Sequence, residues 1–75
     1  MNDADVEVEG LIPIPNRGTV VVGTVVLGSV RVGEQYDFRG VRARCLGIEI
    51  GRELLTEARE GDRVGILLDA AFPDA

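Results

Sequence analysis

The chain has 75 residues, 45% of them hydrophobic, and a formal charge of -5 at pH 7. That length holds one domain, because a chain of about 60 residues already buries only about 60% of its unfolded surface. Eight Arg, no Lys, no His and a single Cys exclude an internal disulfide, a His/Cys metal cluster and the basic footprint of a general nucleic-acid binder.

The acidity belongs to the ends. Asp3, Asp5, Glu7, Glu9 and Asp74 account for the imbalance, and residues 10–73 carry eight Arg against eight acids. Residues 1–5 are therefore expected to form an acidic, flexible N-terminus, 6–69 a single domain, and 70–75 a tail. The acidic start lacks the features of a signal peptide, and no run reaches the ~20 apolar residues of a membrane span, so a cytoplasmic protein without membrane contact is expected. Eleven valines supply most of the core material and favour strand over helix.

In chain order, "VEVEGLIPI" alternates Val6 and Val8 with Glu7 and Glu9, the period of a half-buried strand. Pro13 and Pro15 are expected to stop regular pairing, and "PNRG" (15–18) reads as a turn. "TVVVGTVV" (19–26) reads as a long strand, with Gly23 at a bulge or a close strand approach. "VRVGE" is a connector, "EQYDF" (34–38) the next strand, and Phe38 to Val41 a tight hairpin turn. "VRARCLGIEI" (41–50) places Val41, Ala43 and Cys45 on one face. A register change near Gly47 then turns Ile48 and Ile50 inward and Glu49 outward. "RELLTEAREGD" has helical residue types, so a short helical turn is expected near 52–60, ended by Gly61. "RVGILL" (63–68) is the last strand, after which the chain trails off.

Glycines at 18, 23, 28 and 33 raise the question of a phosphate loop. Thr24 and Ser29 stand where such a loop carries lysine, so the glycines shape a coiled strand and its turn instead. Five to six short strands with one brief helical excursion predict an all-β fold, a small antiparallel β-barrel. Catalysis needs a positioned acid, base, nucleophile or metal. Cys45, on a strand face with Val41 and Ala43, reads as inert packing. No enzyme activity, cofactor or metal is expected.

Two stretches carry a resemblance. "IPNRGTVVVGTVVLGSVRVGEQYDFRG" and "CLGIEIGRELLTEAREGDRVGILL" resemble, colinearly from about Ile12 to Leu68, the second domain of elongation factor Tu and the related translation GTPases. The shared patterns are approximately I-P-G-R-G-T-V-V-T-G-R-V and G-[VI]-E-M-F-[RKH]. The family's last strand, reading like G-x-V-L, has no counterpart, and Asp69 stands where arginine often follows the paired leucines. The resemblance therefore implies a translation-factor-type barrel, here as a short stand-alone relative. It is open at one edge unless the N-terminal strand or a partner covers it.

In that family the domain makes and breaks no bonds. It packs on a GTPase domain and helps cradle the aminoacylated 3′ end of tRNA. By match, Glu49 and Arg52 in "GIEIGR" are the candidate binding residues. Read from the residues alone, they form a surface ion pair beside a loop. Ile50 and Gly51 replace the family's methionine and phenylalanine, which removes a wall of the pocket. Asn16, Arg17 and Gly18 match a shaped loop, a structural role in which asparagine tolerates a left-handed backbone. Function is thus expected to be non-catalytic: a module for a protein partner or, alternatively, a translation-related module contacting tRNA, ribosome or a GTPase.

Overall fold

A computed structural model describes residues 4–72. Met1 to Asp3 and Pro73 to Ala75, which include the expected acids Asp3 and Asp74, lie outside the described residues. Eight strands make up the fold: β1 (Asp5–Ile14), β2 (Gly18–Leu27), β3 (Ser29–Arg31), β4 (Gln35–Phe38), β5 (Val41–Ile50), β6 (Glu53–Leu55), β7 (Glu57–Arg59) and β8 (Arg63–Leu68). The main sheet runs β1-β2-β8-β5-β4, with β6 added to β5; β3 and β7 form a separate pair. Every pairing is antiparallel. The architecture is the expected all-β one, a sheet curled into a half-barrel.

Burial alternates residue by residue along the strands and places the core on one face of the sheet. Along β2, Thr19, Val21, Gly23 and Val25 are buried while Val20, Val22 and Thr24 are half-buried on the other face. Along β8, Val64, Ile66 and Leu68 point inward. β5 contributes Ala43 and Cys45, slips register between Cys45 and Gly47, and then contributes Ile48. That slip is the one expected near Gly47: the extra residue keeps both apolar pairs inside the curved sheet. Tyr36, Phe38 and Phe72 close the core. The Tyr36 and Phe38 rings meet at 6.2 Å, and the Tyr36 hydroxyl accepts the Arg31 N–H at 2.8 Å.

Four features differ from expectation, each for a physical reason. The helical turn near 52–60 is absent. Glu53–Leu55 and Glu57–Arg59 are strands instead, pairing with β5 and β3. A segment this short cannot nucleate a helix unaided, and two open strand edges satisfy its backbone. Val30 and Arg31, the start of the expected connector, form a strand with Ser29 because β7 pairs with them. Pairing also continues through Pro13, opposite Thr19. β1 ends the sheet, so the N–H that proline lacks is not needed there. Finally, the chain does not trail off after β8. Ala70 packs on the core, Phe72 is buried in it, and the Thr19 hydroxyl donates to the Ala70 carbonyl at 2.8 Å.

Candidate functional site

The outward faces of β1, β2, β8 and β5 line up by register. Ile12 lies opposite Val20, and Val20 opposite Leu67; Gly10 lies opposite Val22, Val22 opposite Gly65, and Gly65 opposite Glu49. Directly opposed residues share a face. Valine and glycine in the middle of this face leave a shallow trough. The result is a groove of about 330 Å³ lined by Ile12, Val20, Val22, Glu49, Gly51, Arg63, Val64 and Gly65. Leu54, opposite Glu49 on β6, extends the same face and is 81% exposed; Ile12 is 50% exposed.

Charge borders this apolar floor. Arg63 donates from Nε and Nη2 to one oxygen of Glu9, at 3.0 and 2.7 Å. That hydrogen bond, and then the Glu9 charge, holds the guanidinium further above its ordinary value. Glu49 contributes the second carboxylate. Arg63 is thus already engaged, and the groove joins the apolar side chains of Ile12, Val20 and Val22 to a polar border of Glu49 and Arg63.

Glu49 faces outward as the alternation predicts, and it lines the groove. Arg52 does not line it. Gly51 and Arg52 form the two-residue turn between β5 and β6, with Gly51 at φ 63°. Glycine at the first central position suits a hairpin turn that needs positive φ there. Among the described residues no ion pair joins Glu49 to Arg52, so the simple surface pair read from the sequence is not formed. Ile50 is half-buried against the core and builds no wall beside Glu49.

Asn16, Arg17 and Gly18 lie elsewhere. They shape the β1–β2 turn, where the Arg17 N–H donates to the Ile14 carbonyl at 3.0 Å and Asn16 takes φ 64°. With Pro13, Thr19 and the segment Asp69 to Phe72 they line a separate cleft of about 600 Å³. Sequence reasoning turned Glu49 outward, as the structure does, but missed Ile12, Val22, Leu54 and the Glu9–Arg63 pair. Their common face follows from strand order, which no local pattern encodes.

Cys45 is fully buried, and burial pushes its thiol up to about 11, against a weaker opposing effect of a hydrogen bond with the Gly47 backbone. At pH 7 it is a neutral packing group. The raised pKa lowers the thiolate fraction about a hundredfold, and because a more basic thiolate is also more nucleophilic, this alone slows reaction with a disulfide reagent by about tenfold relative to the unfolded chain. Labelling in the folded state should therefore be slow and should become rapid in urea; fast labelling without denaturant would show an accessible thiol. Because the unfolded thiol loses its proton first, stability should also fall as pH rises from 9.0 toward about 11.

Among the described residues no group of His, Cys, Asp and Glu could hold a metal ion, and no helix is long and apolar enough to cross a membrane. No protein-family model matches the sequence. In three dimensions the chain is similar to a bacterial selenocysteine-specific elongation factor, EF-Sec, with a TM-score of 0.85 at 20% identity. The similarity covers 97% of this chain and 13% of that one. The fold is that of a translation-factor barrel domain, as the two sequence motifs imply.

Proposed function

We propose that this barrel is a non-catalytic cytoplasmic binding module that docks a protein partner on the outer face of its main sheet. The observation that carries the reading is the trough that sets Ile12, Val20 and Val22 between Glu49 and the Glu9–Arg63 pair, extended by the exposed Leu54. Exposed apolar surface gathered on one face, with a polar rim, is the composition of a protein-binding patch. The inventory supports a role without chemistry: no His, no Lys, and a buried thiol. Residues opposite one another across four strands hold the patch rigidly, which reduces the ordering cost of association.

The test compares wild type with Ile12→Arg/Leu54→Arg, both at exposed positions, as bait in the native host. A partner retained by wild type should be lost at least about tenfold by the variant, because two charges then face an apolar contact. Equal retention would overturn the assignment of the face.

The fold favours a second reading, a translation-related module contacting tRNA, ribosome or a GTPase. The net charge of -5 and the engaged Arg63 offer little to phosphates, so the isolated protein should show no measurable binding to aminoacylated tRNA at physiological salt. Saturable binding that disappears in Glu49→Ala/Arg52→Ala would replace the first reading by the second.

A further inference from the structure

Three strands end the main sheet, β1, β4 and β6, and β1 pairs with neither of the other two. β1 has ten residues and β4 only four. The outer edge of β1 thus presents a row of backbone donors and acceptors of the kind that another strand satisfies. The core is thinly covered along it: Val8 and Leu11 pack against the interior yet remain half-buried. Asp5 and Glu7 alternate with Val6 and Val8 and point outward, exposed. Neither acid has an ion pair or side-chain hydrogen bond among the described residues.

We propose that the free edge of β1 is a docking site for an extended protein segment that alternates apolar and basic residues, added to the sheet beside Asp5 to Val8. Residues opposed across two strands share a face, so the apolar residues of such a segment cover Val6 and Val8 while its basic ones stand beside Asp5 and Glu7. The same acids select against a second copy of this chain. Pairing β1 with itself brings like charges together on one face, which is destabilising. The register shift between Asp5 and Val6 leaves its extra residue, Val26, on β2, so β1 itself stays regular there; the extra residue at Glu9 and the missing N–H of Pro13 confine regular pairing to the N-terminal half of the strand. Acids, bulge and proline thus leave one short open stretch that accepts only a strand of complementary charge.

This inference rests on reading the domain as protein-binding, but it uses the sheet edge and not the outer groove, so Ile12→Arg/Leu54→Arg should leave it intact. The probes are two capped hexapeptides, one alternating arginine and valine, the other glutamate and valine. Each is titrated into the full chain and followed by calorimetry and by amide resonances. The arginine peptide should saturate, with the largest amide changes between Asp5 and Gly10. Asp5→Lys/Glu7→Lys should weaken it at least about tenfold and allow the glutamate peptide to bind. Raising salt to about 0.5 M should weaken wild-type binding as well, a readout that needs no substitution. No saturable binding, equal binding of both peptides, amide changes centred on the outer groove, or self-association through β1 in place of peptide binding would each overturn the proposal.

Discussion

Gly23→Val should destabilise the domain by about 3 kcal/mol or more, well beyond the ~0.5 kcal/mol of an ordinary surface change. Gly23 lies in the middle of β2, opposite Val8 on one side and Val64 on the other. A Cβ here would stand 2.2 Å from the Glu7 carbonyl oxygen and 3.0 Å from a methyl of Val6. The nearest obstacle is backbone, so no rotamer change relieves it. β1 must lift away from β2, and the residues it carries into the core, Val6 above all, move with it. Chains of this size have about 4–11 kcal/mol in hand, so a large share would be lost. A urea titration measures the change; a midpoint equal to wild type would show that the two strands do not approach so closely.

The reason for this glycine was half legible. The break it makes in a valine-rich run signals a bulge or close approach, and the structure shows the approach, with β1 as the strand that comes near. Alternation served equally well over 41–50, because Arg42 and Arg44 cannot be placed inside and thereby fix the face of Ala43 and Cys45. The residues that propensity misassigned are those whose structure is decided by distant partners. Glu53 to Arg59 has the composition of a helix but is too short to hold one, and strand edges 3 to 30 residues away along the chain capture it. Pro13 stops pairing only where its N–H is required, and its place at the sheet edge depends on which strands flank β2.

The candidate site follows the same logic. Glu49 could be placed outward from its neighbours alone, since Ile48 and Ile50 turn inward. Its surroundings could not. Val22 reaches it only through β8, and Arg63 finds Glu9 across 54 residues of sequence. Arg52 matches a motif by position, yet it sits in the turn between β5 and β6 and is not part of the groove lining. A motif fixes spacing along the chain; sheet order decides which of its members share a surface.

Gly18→Ala should be as costly as any substitution in the chain, about 3 kcal/mol or more, for two reasons that add. Gly18 opens β2 at φ 138°, a backbone conformation that a residue with a Cβ rarely adopts. Its built Cβ would also lie 1.9 Å from the Leu68 carbonyl oxygen and 3.2 Å from the Asp69 Cα. Relief requires the end of β8 to withdraw. The next residue, Thr19, pairs with Leu68 and holds the Ala70 carbonyl through its hydroxyl, so the segment that inserts Phe72 into the core would be displaced as well. Gly10→Ala is the control: a Cβ there meets nothing within 4 Å and the backbone needs no positive φ. Its midpoint in urea should lie close to wild type. Gly18→Ala should shift far lower and should also expose the chain after Asp69 to protease under conditions where Gly10→Ala resists. Equal midpoints for the two variants would mean that β2 and the end of β8 do not meet as described, and would remove the physical reason for glycine at this turn.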